Sequence, residues 1–299
     1  MLVNEHQGAR RRPGRTDRMS RSDPELTEFR EQVERHRRSG DQRALAVALG
    51  RLALTYRRRG ELGPAMEHLA AQEALCAHLG DRRELAACLG NQALIHMDSN
   101  ETVAADSLLA RVEDIHRQFG NLSDLQTTLG NRALILRRRG DLDRAMDLLR
   151  EQEDLCRRIN HHVGLATCLG NQALIHEDRG ELDGAMRLLW QAERISRDEQ
   201  DLRGVARSLG NRAGILTARG EHIGALALLE EKEQLCRRTG DVAGLAVTLA
   251  NRASALAADA RLEEAVPLLD EAHHIATEHE LEYLLRQIEP LRAALHHRA

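Results

Sequence analysis

Apolar and polar residues recur in the same order every forty residues along the chain. The clearest copy is the segment Leu169-Gly170-Asn171-Gln172-Ala173-Leu174-Ile175. Closely related segments begin at Leu89, Leu129 and Leu209, and looser copies begin at Leu49 and Leu249. A fixed period of about 20 to 50 residues is typical of stacked-repeat proteins, in which each unit buries its apolar face only against its neighbours. We therefore expect one elongated domain whose function lies on a repeated surface.

Each forty-residue unit divides into two halves at residues that adopt left-handed backbone easily. Glycine and asparagine are the usual residues just beyond the end of a helix, because they tolerate a positive φ angle. We predict one helix of about 17 residues in each half, joined to the next helix by a tight turn that makes neighbours antiparallel. The first helix, named A, carries the Leu-Gly-Asn segment, and the second is named B. The predicted boundary residues are Gly60, Asn100, Gly140, Gly180 and Gly220, and Gly40, Gly80, Gly120, Asn160 and Gly240.

Alanine occupies one fixed position on every A helix and one on every B helix. Small residues on facing helices allow the helix axes to approach to the short end of the range of about 8 to 10 Å. These positions therefore predict the contact between the two helices of each hairpin. They are Ala53, Ala93, Ala133, Ala173, Ala213 and Ala253 on A, and Ala65, Ala105, Ala145, Ala185, Ala225 and Ala265 on B.

The ends of the chain depart from the repeat. Residues 1–22 contain six arginines and no apolar periodicity, which indicates a disordered basic tail. A tail that binds nucleic acid or acidic lipid is the alternative. Residues 23–40 are expected to form an N-terminal capping helix, 41–280 six repeats, and 281–299 a C-terminal capping helix.

Composition narrows the classes of protein further. Aromatic residues make up 2% of the chain and hydrophobic residues 42%, which favours closely packed helices over sheets. The net charge of -4 gives no bulk field for nucleic acid or membrane binding. Lys232 is the only lysine and follows no glycine-rich loop, so a phosphate-binding loop is excluded. No apolar run approaches the length of a membrane span, and we expect a cytoplasmic protein.

Candidate catalytic and metal-binding groups do not converge. Glu113-x-x-His116 and Glu271-x-x-His274 have the spacing of di-iron ligands but stand four repeats apart, too far for one centre. The sequence therefore predicts no metal, no cofactor and no enzymatic activity.

The five cysteines follow the phase of the repeat and stand among Leu and Ala, and buried reduced thiols are the simplest interpretation. The alternative is a disulfide or metal pair formed by Cys76 with Cys88, or by Cys156 with Cys168.

The spacing Gly180-x-Leu182-x-x-Ala185-x-x-x-Leu189, with Ala173 seven positions before Gly180, resembles the tetratricopeptide repeat. The forty-residue length is similar to the long-helix variants of kinesin light chain and of many bacterial regulators. The resemblance covers six units and implies an all-α, right-handed superhelix of six helical hairpins. Most of the aromatic positions of that family are missing here, and so is the proline that closes its B helix.

Asparagine stands at one position in five successive A helices: Asn91, Asn131, Asn171, Asn211 and Asn251. Asparagine and the glycine before it are both unfavourable inside a helix, which suggests that something approaches closely there. In the family that the chain resembles, asparagines at the matching position hold the main chain of an extended peptide. By that resemblance Leu94, Leu134 and Leu174 would receive apolar side chains, and Arg138 and Asp178 would select charge. The alternative is that each amide bonds a helix carbonyl or bridges adjacent A helices.

Glutamate stands at one position in five successive B helices, and four of these glutamates have an arginine four residues later. The five are Glu73, Glu113, Glu153, Glu193 and Glu233. We interpret them as ion pairs on an exposed face, with no role in binding.

The sequence therefore predicts a non-catalytic interaction scaffold that binds an extended peptide segment of a partner protein. The alternative is a bacterial regulatory sensor that binds a short signalling peptide. No nucleic-acid or membrane partner is expected apart from the basic tail.

Overall fold

In the computed structural model, residues 24–296 are described, and they form α-helices joined by short turns, with no strand in that part of the chain. The all-α hairpin architecture that the sequence predicts is confirmed. The helices are α1 Pro24–Ser39, α2 Gln42–Arg58, α3 Leu62–Leu79, α4 Arg82–Asp98, α5 Thr102–Phe119, α6 Leu122–Arg138, α7 Leu142–Arg158, α8 His162–Asp178, α9 Leu182–Asp198, α10 Leu202–Ala218, α11 His222–Thr239, α12 Val242–Ala258, α13 Leu262–Glu278 and α14 Glu282–His296. The basic tail predicted for residues 1–22 lies outside the described residues.

Backbone contacts divide the described chain into two compact units. The first unit comprises residues 24–151 and the second comprises residues 152–296, with the boundary inside α7. Within each unit, consecutive helices pack against one another, as α2 does on α3 and α8 on α9.

The helix ends follow the chemistry of their terminal residues. Side chains cap most A helices by accepting a backbone N–H three residues later, which satisfies a donor that the helix leaves unbonded. The capping residues are Asp41, Asp81, Asn121, Asp201 and Asp241. Every predicted boundary glycine and asparagine has a positive φ, as do Gln200, Ala260 and Glu280.

The alanine positions are confirmed as the contact between the paired helices, because all twelve side chains are at most 1% exposed. In the first unit Ala53 shares a core cluster with Ala65, and Ala93 shares one with Ala105. The second unit repeats this arrangement at Ala173 with Ala185, Ala213 with Ala225, and Ala253 with Ala265.

Both terminal helices of the described chain pack on the repeats. Leu26 and Val33 of α1 join the core around α2 and α3. Leu284, Ile288 and Leu295 of α14 join the core around α12 and α13. Each end of the described chain therefore covers an apolar face that a terminal repeat would leave open.

The glutamates of the B helices are less exposed than the sequence indicated. The expected pairing with arginine four residues later is confirmed at Arg117, Arg157, Arg197 and Arg237. The expectation of an exposed face is wrong for Glu113, Glu193 and Glu233, which are buried.

Each glutamate also accepts a hydrogen bond from the residue that follows Asn on the next A helix. Gln92 Nε2 lies 2.8 Å from Glu73 Oε2, and Gln172 Nε2 lies 2.7 Å from Glu153 Oε2. Arginine makes the same connection at the other three repeats, from Arg132 to Glu113, Arg212 to Glu193 and Arg252 to Glu233. These contacts fix each hairpin against the next one, and therefore bury carboxylates that a single helix would expose.

None of the helices in residues 24–296 combines the length and the apolar character that a membrane span requires.

Candidate functional site

The first unit contains a groove of about 410 Å³ between the A helices α4 and α6. Asn91 and Leu94 line it from α4, and Asn131 lines it from α6. The B helix α5 contributes the buried side chains of Leu109 and Val112. The groove thus has amide groups on both walls above an apolar floor.

Little backbone contact joins α4 to α6, and the same is true of α10 and α12 in the second unit, so this spacing alone does not make a groove. Direct backbone contact joins the neighbouring A helices α2 and α4, and in the second unit it joins α8 and α10. The groove lies in the space between α4 and α6.

The predicted site residues fall into four different environments. Asn91, Leu94 and Asn131 come together in the groove of the first unit. Leu134 and Asn211 are half-buried outside it. Asn171, Leu174 and Asn251 of the second unit are 8%, 4% and 6% exposed. Arg138 and Asp178 are exposed, and each already takes part in interactions within the chain.

The amides of the groove remain available. Asn91 is half-buried and Asn131 is exposed. Within residues 24–296, neither side-chain amide is hydrogen bonded to another group of the chain. Each amide can therefore offer two N–H donors and a carbonyl acceptor to a ligand.

The glycine that precedes asparagine in the repeat has two different kinds of surroundings in this chain. A Cβ on Gly50 would come within 2.8 Å of Gln72 Nε2, and a Cβ on Gly210 within 2.8 Å of Lys232 Nζ. At these repeats the group that approaches the glycine is a side chain of the facing B helix. Gly90, which lines the groove, has no atom within 4 Å of its would-be Cβ.

Charged groups stand at the end of the groove where α4 and α6 begin. Glu84 and Asp124 contribute carboxylates, and Arg83 contributes a guanidinium. Glu84 accepts a hydrogen bond from Gln72 at 2.8 Å, and Asp124 accepts one from Asn121 at 2.6 Å. Burial lowers the pKa of His116, and the nearby Asp124 carboxylate partly opposes this shift. His116 is therefore neutral at pH 7.

The sequence identified part of this groove and missed the rest. The Asn series predicted Asn91 and Asn131, and the position one turn earlier gives Ala87 and Thr127, which also line the groove. Met97, Leu109 and Val112 carried no such signal, because apolar residues at those positions are indistinguishable from ordinary core. Met97 is half-buried and Leu109 and Val112 are buried, so only the tertiary structure shows that they line the groove.

The second unit has a different cleft, of about 590 Å³, between the B helices α9 and α11. It contains none of the predicted site residues. Arg197 spans its mouth to Glu231 at 2.9 Å. We assign no role to this cleft.

All five cysteines are buried and free, and none of them forms the disulfide that the sequence left open as an alternative. Burial raises the pKa of the Cys76 thiol to about 11 and that of Cys88 to about 12, with smaller contributions from nearby acidic groups. Thiols of this kind are poor nucleophiles at neutral pH. Among the residues that the structure describes, no three His, Cys, Asp or Glu side chains are grouped as metal ligands would be.

The stacked hairpins and the groove between neighbouring A helices define a helical-repeat protein of the solenoid class. Residues 124–198 match the sequence profile of the tetratricopeptide repeat. This match agrees with the resemblance that the repeat spacing indicates. No curated protein matches the chain.

Solved structures share the fold at low sequence identity. BtubC (BKLC) from P. vanneervenii is 15% identical, with a TM-score of 0.57, over 86% of this chain and 91% of that one. Aspartyl phosphate phosphatase F from Bacillus subtilis is 12% identical, with a TM-score of 0.67, over 89% of this chain and 73% of that one. A Rap protein complexed with competence and sporulation factor is 12% identical, with a TM-score of 0.61, over 94% of this chain and 88% of that one. At these identities the likeness establishes the fold alone.

Proposed function

We propose that the chain is a non-catalytic scaffold that binds an extended peptide segment of a partner protein in the groove between α4 and α6. The observation that supports this proposal best is the pair Asn91 and Asn131. The two amides stand one repeat apart, line the same groove and make no hydrogen bond within residues 24–296.

An extended peptide supplies what these amides lack. Its backbone presents N–H and C=O groups at regular intervals, and an asparagine amide pairs with both kinds of group. Its apolar side chains would cover Leu94, Met97 and Leu109. The ligand would thus combine main-chain hydrogen bonds with the burial of apolar surface.

Gly90 adds a second argument. Glycine in a helix interior costs roughly 0.8 to 1.0 kcal/mol relative to alanine. No neighbouring side chain requires a glycine at this position. Gly170 is equally open but lies outside the groove, whereas at Gly90 a ligand main chain could use the space that the missing Cβ leaves.

A second candidate function is a sensor for a short signalling peptide. One of the similar structures is a Rap protein in complex with competence and sporulation factor. The same groove would then hold a free peptide rather than a segment of a larger partner.

The proposal is tested by affinity capture from a native lysate with the wild-type chain and an Asn91→Ala plus Asn131→Ala variant. The wild type should capture a partner that the variant loses, with both proteins equally helical by circular dichroism. Asn211→Ala changes the same series in the second unit and should retain the partner. Retention of the partner by the double variant would contradict the proposal.

The size of the bound molecule distinguishes the peptide sensor from the protein-binding scaffold. A filtrate that contains only peptides should then change the hydrodynamic radius of the wild type and not that of the double variant. A scaffold should respond only to the protein fraction.

A further inference from the structure

In the second unit, a side chain of the chain itself lies between the two A helices α8 and α10, which correspond to α4 and α6 of the first unit. Arg207 Nη2 on α10 lies 3.3 Å from Thr167 Oγ1 on α8 and donates a hydrogen bond to it. These residues stand four positions before Asn211 and Asn171, respectively. A guanidinium of the chain therefore connects the two A helices, close to the buried Asn171.

The first unit has the opposite arrangement eighty residues earlier in the sequence. The positions of Thr167 and Arg207 are occupied there by Ala87 and Thr127, which are exposed and line the groove. Small side chains thus leave the groove open where the second unit has a guanidinium.

The two carboxylates of the groove also have no counterpart in the second unit. Glu84 and Asp124 stand where the second unit has Gly164 and Gly204. Both carboxylates lie in the first turn of a helix, the end of the helix that attracts negatively charged side chains. Arg83 is the one guanidinium of the lining, and His116 is uncharged at neutral pH because burial lowers its pKa. Relative to the second unit, the first unit has therefore gained two carboxylates, and its one guanidinium stands at Arg83, where the second unit has Val163, and not at the position of Arg207.

We propose that the peptide bound in this groove places a lysine or arginine side chain against Asp124 and Glu84 and an apolar side chain against Leu94 and Met97. This inference rests on the proposed function of the same groove. Glu84 and Leu94 stand ten positions apart, which is about 15 Å along the helix. An extended peptide advances about 3.3 Å per residue, so its basic and apolar residues stand about four or five positions apart.

The experiment is selection of a phage-displayed random-peptide library on the full-length wild-type chain, with the Asn91→Ala plus Asn131→Ala variant as the counter-selection. The selected peptides should contain a basic residue about four or five positions from an apolar one. Replacing that basic residue by glutamine should weaken binding to the wild type by about two- to fivefold, the range of a partly exposed ion pair.

Asp124→Asn should prefer the basic peptide over its glutamine analogue less strongly than the wild type does, since only Glu84 then remains to face the basic side chain. Asp114→Asn is the matched control, because Asp114 is an exposed carboxylate on α5 outside the groove lining, and it should keep the preference of the wild type. Asp124→Lys should prefer a peptide in which the basic residue is replaced by glutamate.

Two results would overturn this inference and leave the proposed function standing. One is a set of selected peptides without a basic residue, and the other is an unchanged preference in Asp124→Asn. If the wild type selects no peptide that the double variant fails to bind, the proposed function itself is wrong.

Discussion

The Nζ atom of Lys232 lies 2.8 Å from the position that a Cβ on Gly210 would occupy. Lys232 stands on the B helix α11 and is 3% exposed, whereas Gly210 stands on the A helix α10, just before Asn211. Gln72 lies in the same way beside Gly50 in the first unit. At these two repeats the glycine makes room for a long polar side chain of the facing helix.

This packing predicts opposite consequences for one substitution at two equivalent glycines. No atom lies within 4 Å of a Cβ on Gly170, so Gly170→Ala should raise the free energy of unfolding by roughly 0.8 to 1.0 kcal/mol through helix propensity. Gly210→Ala should gain less than that, or lose stability, because the buried Lys232 side chain has to move. Urea denaturation of both variants measures the difference. Equal stabilisation would contradict the packing argument.

Gly90→Ala should separate stability from binding. The free energy of unfolding should rise by roughly 0.8 to 1.0 kcal/mol, because the added methyl group meets no side chain of the protein. Binding of peptides selected on the wild type should weaken, because the methyl group projects into the groove. Thermal denaturation and fluorescence anisotropy give the two readouts, and Gly170→Ala serves as the control outside the groove. A more stable variant with unchanged affinity would place the ligand elsewhere.

The Arg212 and Glu193 side chains form a buried ion pair between α10 and α9, and they are 7% and 4% exposed, respectively. Arg212→Met alone should lower the free energy of unfolding, but by less than the loss of about 3 to 5 kcal/mol that a wholly unpaired buried charge causes, since Glu193 keeps its ion pair with Arg197. Adding Glu193→Met should recover most of that loss, because both charges are then absent. A double-mutant cycle in urea tests this. Additive losses would show that the two groups stabilise the protein independently.

The buried thiols should make stability fall at alkaline pH. Burial raises the pKa of Cys88 from 9.0 to about 12 in the folded chain. The folded state therefore keeps a proton that the unfolded state loses. Below pH 9 the free energy of unfolding keeps the full contribution of the protonated thiol, and it falls as the pH rises toward 12. The slope should approach about 1.4 kcal/mol per pH unit for each such thiol.

The free energy of unfolding measured from pH 8 to 11 provides the test, with Cys88→Ala as the comparison. The variant should show a shallower decline than the wild type above pH 9. Parallel curves would mean that Cys88 titrates alike in the folded and unfolded chains. In the native state at pH 8, all five thiols should also react slowly with Ellman's reagent and become reactive on unfolding.

The sequence predicted the helices well because their signals are local. A residue such as Gly180 or Asn160 ends a helix through its own backbone conformation, and Asp81 or Asp241 begins one through a bond three residues away. The alanines were equally informative, because a fixed position on every helix marks a fixed contact. The exposure of the B-helix glutamates was predicted wrongly, because Glu113 meets its partner Arg132 on another helix, nineteen residues further along the chain.

The sequence by itself determined the period, the helix boundaries and the face that each hairpin buries, since these depend on backbone propensities and on residues close in the chain. Only the tertiary structure decided which members of the Asn series line an open groove. Asn91 and Asn131 line the groove between α4 and α6, whereas Asn171 and Asn251 of the second unit are buried. Whether space stays open between two neighbouring helices depends on all the side chains packed between them, and no single repeated position encodes it.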